Sequence, residues 1–121
     1  MDYFFLITAS IISLSGALFH GVIGQKKYMD AIYKSNLELL TKSLSFVAWH
    51  IFTIFLLVSA IILCCVAYNK TLILTVYPII AVNFLGCIMF IALGLRGHRV
   101  LLRMPGAYLM GATALLAWLA I

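Results

Sequence analysis

Acidic residues are nearly missing from this chain: Asp2, Asp30 and Glu38 are the only three among 121 residues. None lies inside a long apolar stretch, which removes the membrane-embedded carboxylate that couples protons to transport in small four-helix drug exporters. No aspartate pair is available for an intramembrane aspartyl protease. A Gly-x-Ser-x-Gly elbow and a phosphate-cradling glycine loop are also absent. The three cysteines form no Cys-x-x-Cys motif. Cys64 and Cys65 are adjacent and Cys87 stands alone, the pattern of small apolar fillers rather than of a redox relay. Charge of either sign is scarce, at 9% of residues against 66% hydrophobic, whereas soluble domains run at about 25% and about 45–50%. A soluble domain this short buries only about 60–70% of its surface. A soluble enzyme, a disordered tail and a nucleic-acid-binding domain are therefore excluded, and no enzymatic chemistry is indicated.

What the chain does have is long apolar runs. Four are free of Asp, Glu, Lys and Arg: Tyr3–Gln25, Ser43–Asn69, Thr71–Leu95 and Met104–Ile121, of 23, 27, 25 and 18 residues. A spanning helix needs about 20 apolar residues, and backbone groups in lipid must be satisfied within their own segment. Spans are expected at about 3–24, 43–67, 71–94 and 104–121, in one transmembrane domain covering 1–121. The runs do not alternate in polarity as β-barrel strands do. The first run lacks a basic leading segment and an Ala-x-Ala-like site, so it is expected to be a retained span rather than a signal peptide. The expected fold is all-α, a polytopic four-transmembrane-helix bundle.

Seven of the eight basic residues fall in two connections. Lys26, Lys27, Lys34 and Lys42 occupy the first, and Arg96, Arg99 and Arg103 the third, leaving Lys70 in the second. The Lys/Arg bias predicts that the first and third connections are cytoplasmic and that both termini face the other side. The net charge of +5 then reads as a topology signal with affinity for anionic lipid, and not as a nucleic-acid patch.

The connection 25–42 has local signals of its own. Ser35-Asn36-Leu37-Glu38 has the form of a capping box, which predicts that the second helix starts near Asn36. Met29, Ile32, Tyr33, Leu37, Leu40 and Leu44 recur at helical spacing. Two readings are open here: an amphipathic segment lying in the headgroup layer, or an ordinary polar loop. Pro105 suits the first turn of the last helix. Pro78, in the first third of span three, predicts a kink or a short 3₁₀ stretch.

Small residues mark the packing faces. In span one Ala9, Ser13, Gly16, His20 and Gly24 follow at intervals of three or four, a stripe that lets backbones approach closely and is expected to face span two. Ala107 and Gly111, with Ala114, form a weaker stripe on the last span. Asn83, Gly86 and Cys87 form another on the third.

Histidine is the remaining chemical resource. With about 1.5 Å of rise per residue, His20 lies about 6 Å and His50 about 12 Å inside their span ends, and His98 sits in the third connection. Two imidazoles meeting in an antiparallel hairpin are what a b-type haem requires, which makes His20 and His50 cofactor candidates. With His98 they are alternatively a zinc or copper site. A quinone or lipid headgroup bonded to either ring is a further alternative. Against all of these stands a plain role in helix packing, with Trp49 as an aromatic-belt residue.

His20-Gly21-Val22-Ile23-Gly24-Gln25 followed by Ala48-Trp49-His50 resembles a family of small bacterial four-helix membrane proteins of uncharacterised function. In that family a His-x-x-x-Gly-Glu stretch ends the first helix and a Trp-His pair opens the second; Gln25 here stands where the pattern has an acid. The resemblance covers mainly residues 16–60. It implies a four-helix fold in a bacterial inner membrane, with His20 and Trp49-His50 forming one unit. The leading functional expectation is a non-enzymatic accessory or scaffold subunit acting through helix packing, surrounded by membrane lipid and joined to copies of itself or to a larger membrane complex. Haem b or metal binding in a membrane redox role is one alternative. An oligomeric small transporter or lipid-handling protein is the other.

Overall fold

Apolar residues run around the whole circumference of each long segment, the pattern of a helix with apolar surroundings on every side rather than of an amphipathic surface helix. The computed structural model, which describes residues 1–121, contains helices and turns and no strand. We number four helices: α1 (Asp2–Tyr33), α2 (Leu39–Tyr68), α3 (Val76–Leu95) and α4 (Pro105–Leu119). The first two, and α3 with the 3₁₀ turn Lys70–Thr75 before it, are each long and apolar enough to cross a membrane. Helix α4 has 15 residues, about 22 Å at 1.5 Å per residue.

Helix α1 continues past Gly24, near which the first span is expected to end. It keeps α geometry over Asp2–Leu18, widens into a π-helix over Phe19–Met29 and closes with an α turn at Asp30–Tyr33. Lys26 and Lys27 are therefore helical. The stretch expected to lie in the headgroup layer is the end of α1 folded against α2: Met29 is buried, and Tyr33 meets Phe46 edge-on with centroids 5.0 Å apart. The capping box does not form. Ser35 Oγ donates to Ile32 O at 2.6 Å, so this serine terminates α1, and α2 begins at Leu39 with Glu38 as an N-cap that makes no side-chain bond. Reach decides the matter, because the free carbonyls of the preceding helix end lie closer to Ser35 than the amides of the next helix.

Near Pro78 the chain takes the 3₁₀ option over Lys70–Thr75, started by Asn69 Oδ1, which accepts from the Thr71 amide at 3.1 Å. Pro78 itself falls in the first turn of α3, where an amide would have no helical partner. Gly97 turns the chain out of α3 at φ +122°, a conformation open to glycine.

The helices alternate in direction, and the neighbour order is α2–α1–α4–α3. One end is packed shut. Leu6 and Ala9, Leu63 and Val66, Val76 and Ile79, and Ala117 bring all four helices into one core there. The Tyr3 hydroxyl donates to the Tyr68 hydroxyl at 2.8 Å and Lys70 lies 3.9 Å from Asp2. The opposite end carries Lys26, Lys27, Lys34, Lys42, Arg96, Arg99 and Arg103. Toward that end α2 and α3, joined at the closed end, scarcely touch.

Candidate functional site

Between the splayed halves lies a partly open cavity of about 640 Å³, lined from all four helices, two of which, α2 and α3, scarcely touch each other. Its size is that of a small-molecule pocket, typically about 300–1,000 Å³. The lining is overwhelmingly apolar and rich in aromatic residues and methionine, and it contains no Asp, Glu, Lys or Arg.

Helix α1 packs along α2 from the closed end to the basic end. Ser10 Oγ and Ser13 Oγ donate to Ala60 O at 2.7 Å and Leu56 O at 2.8 Å, bonds between helices that hold transmembrane segments together. The stripe expected to face span two does lie there, with Ala9, Ser13, Gly16, Ala17 and Gly24 buried. Where α1 widens, His20 stacks on Trp49 with centroids 3.8 Å apart and planes inclined by 15°. Phe52 meets the imidazole edge-on at 5.1 Å, and His20 Nδ1 lies 2.8 Å from Thr53 Oγ1. Trp49 Nε1 donates to the His20 carbonyl at 3.1 Å. This approach needs glycine: a Cβ on Gly21 would stand 2.9 Å from Thr53 Cγ2, and one on Gly24 2.8 Å from Trp49 Cζ2. On the other side Ala107 is buried and a Cβ on Gly111 would lie 3.1 Å from Cys87 Sγ, so the α4 stripe is used against α3.

His20 lines the cavity and His50 does not. Consecutive residues project about 100° apart on a helix of 3.6 residues per turn. With Trp49 turned toward α1, His50 is left exposed beside Phe46, ring centroids 6.2 Å apart. The stacking partner of His20 is thus Trp49, and His50 lies outside the cavity lining. No three His, Cys, Asp or Glu side chains come together. His98 is exposed in the turn after α3, so the zinc or copper set His20, His50 and His98 is not assembled.

Halfway along the bundle the cavity meets a polar layer: Ser13, Asn83 and Thr113, exposed by only 2%, 0% and 1%. Asn83 Nδ2 donates to Ile79 O at 2.9 Å. Only the nitrogen can donate to a carbonyl, which fixes the amide orientation and leaves Oδ1 without a partner. Gln25 Oε1 and Ser59 Oγ are the other buried polar side-chain atoms without partners, and neither residue lines the cavity. Sequence reasoning placed Asn83 in a packing face and passed over Thr53. The available signals were the position of Asn83, an amide far from either end of an apolar run, and the helical spacing Trp49, Phe52, Thr53, Leu56, which marks one face of α2.

No family model, no curated protein and no solved structure matches the chain.

Proposed function

We propose that this chain is a four-crossing integral membrane protein that holds a small apolar molecule inside its bundle, a lipid-handling or lipid-sensing protein rather than a catalyst. The observation that carries this reading is the cavity of about 640 Å³ with its lining free of Asp, Glu, Lys and Arg, beside helices α2 and α3 that scarcely touch and so leave a gap between them. An opening in that position faces surrounding acyl chains, so a lipid-soluble molecule enters sideways without crossing water. The Lys/Arg-rich connections favour a cytoplasmic basic end with both termini opposite, and the family resemblance implies a bacterial inner membrane as the host.

The cavity favours this reading over a scaffold acting through its small-residue faces. Those faces are already occupied inside the bundle, α1 against α2 and α4 against α3.

The test is purification in mild detergent followed by native mass spectrometry and lipid extraction. A neutral lipid-sized molecule is expected to accompany the wild-type chain stoichiometrically. It is expected to be displaced by Ala48→Trp, which adds bulk at the α2 side of the mouth. Equal retention by wild type and Ala48→Trp, or retention by neither, overturns the proposal.

A further inference from the structure

We infer that the occupant of this cavity is a neutral amphiphile with a free hydroxyl group, which donates its hydrogen bond to His20 Nε2 toward the basic end while the apolar body points to mid-bundle. The inference rests on the proposed lipid-binding role and specifies the ligand's polar end and its orientation.

Three observations carry it. First, the tautomer of His20 is set by its neighbour. Thr53 Oγ1 lies 2.8 Å from His20 Nδ1 and 3.3 Å from Trp49 O, and a hydroxyl has a single hydrogen. Both contacts are hydrogen bonds only when Nδ1–H donates to Oγ1 and Oγ1–H donates to the carbonyl. Nε2 of the neutral ring is then an acceptor.

Second, Nε2 is within reach of a ligand. The buried side-chain atoms without partners are Gln25 Oε1, Ser59 Oγ and Asn83 Oδ1. Nε2 of the half-buried His20 has no partner either, but it keeps accessible surface. His20 lines the cavity and Thr53 does not. The two ring nitrogens point nearly opposite ways, so with Nδ1 held at Thr53 the edge bearing Nε2 is the one turned to the cavity.

Third, the polar lining is graded along the bundle. At mid-bundle Ser13, Asn83 and Thr113 are closed off by packing, whereas toward the basic end His20, Tyr28 and Ser45 are only half-buried. Ser45 Oγ donates to Thr41 O at 2.8 Å and keeps its own lone pairs as a second acceptor. The accessible polar groups therefore gather at one end, with no Asp, Glu, Lys or Arg among them. A hydroxyl head is matched there, while a charged head would be buried without a counter-charge.

Trp49 stacks on His20 and lines the cavity, and the chain's second tryptophan, Trp118, is exposed on α4. Fluorescence of the Trp118→Phe protein in nanodiscs of phosphatidylcholine therefore reports on the site. The additives are para-decylphenol and oleyl alcohol, each beside its methyl ether, and phosphatidylglycerol. For whichever hydroxyl compound binds more tightly, the ether, which lacks the donor, is expected to bind about tenfold more weakly. If that compound is the phenol, the ligand's head is a ring; if it is the alcohol, the head is aliphatic. His20→Phe keeps a flat ring against Trp49, removes both nitrogens, and is expected to bind hydroxyl compound and ether equally. Magnetic resonance of isotope-labelled histidine needs no substitution at the site: Nε2 of His20 is expected to be unprotonated, and its signal to move with the hydroxyl compound but not with the ether. Equal binding of the two by wild type, a preference that survives His20→Phe, a protonated Nε2, or tighter binding of phosphatidylglycerol than of either hydroxyl compound overturns the inference while leaving the lipid cavity standing. Absence of saturable binding by every additive overturns it as well, and if co-purified lipid is also indifferent to Ala48→Trp, the lipid cavity falls with it.

Discussion

His20 lies flat on Trp49, and the indole of Trp49 reaches back to donate a hydrogen bond to the carbonyl oxygen of the same histidine. One side chain of α2 thereby grips one residue of α1 twice, at its ring and at its backbone. The contact falls where α1 passes from α to π geometry. Wide π turns are uncommon and are frequently found at functional sites.

Removing this grip separates its two parts. An aromatic pair contributes about 0.5–1.5 kcal/mol beyond area burial and a hydrogen bond about 1 kcal/mol. Trp49→Phe keeps a ring and loses the donor, so it is expected to destabilise the bundle by about 1 kcal/mol. Trp49→Ala loses both and the buried area of the indole as well, at about 3–5 kcal/mol. Unfolding of detergent-solubilised protein by sodium dodecyl sulfate measures both values; equal losses would show that the ring contributes nothing, and an unchanged Trp49→Phe that the hydrogen bond contributes nothing.

Gly24 and Gly16 belong to the same stripe but are expected to respond differently to one added methyl group. At Gly16 a Cβ would lie 3.7 Å from the nearest atom of Leu56, an ordinary contact. At Gly24 it would lie 2.8 Å from the rigid indole of Trp49 and 3.5 Å from a backbone oxygen. Gly16→Ala is expected to be close to neutral, and Gly24→Ala to cost about 1–3 kcal/mol and to disturb the fluorescence of Trp49. A tolerated Gly24→Ala contradicts the close approach of α1 and α2 at the basic end.

The two histidines should also separate. His50 is exposed and outside the cavity, so His50→Ala is expected to change stability by no more than about 0.5 kcal/mol and to leave lipid binding unaltered. His20→Ala removes the stacked ring and the partner of Thr53 and is expected to weaken both. Equal losses of binding from the two substitutions would restore a site made of two imidazoles, and a Soret band lost in both variants would identify it as haem.

Topology is tested by cysteine accessibility in a variant whose Cys64, Cys65 and Cys87 are replaced by serine or alanine. Single cysteines at Asn36 and His98 are expected to react with a membrane-impermeant maleimide from the cytoplasmic side. A cysteine at Asn69 should react from the opposite side. The decisive position is Ile121. If α4, with its 15 residues, fails to cross, a cysteine there reacts from the same side as His98 and the four-crossing proposal is lost.

The runs between charged residues located the apolar helices well because length and hydropathy are properties of a segment alone. Helix ends were less legible. Lys26 and Lys27 mark where the polar region starts, but a helix continues past that boundary when its next residues still have a surface to pack on, as Met29 and Tyr33 do on α2. Ser35 illustrates the same limit at finer scale: its hydroxyl serves the helix behind it as readily as the one ahead, and the fold of the turn chooses. The candidate site was half legible. His20 and Trp49 stood out as polar aromatic groups in apolar runs, whereas the choice between neighbours Trp49 and His50 depends on how α2 is rotated.

The order of residues along the chain, by itself, determined an all-helical molecule with apolar helices long enough to cross a membrane, basic connections gathered at one end, and small residues placed for close contact. Each follows from local composition and from the 3.6-residue period. Only the tertiary structure decided that α2 and α3 part company toward the basic end, that Trp49 rather than His50 meets His20, and that Asn83 is fully buried with an unpaired oxygen. Those outcomes depend on the mutual rotation and tilt of four helices, which packing sets collectively and no single segment encodes.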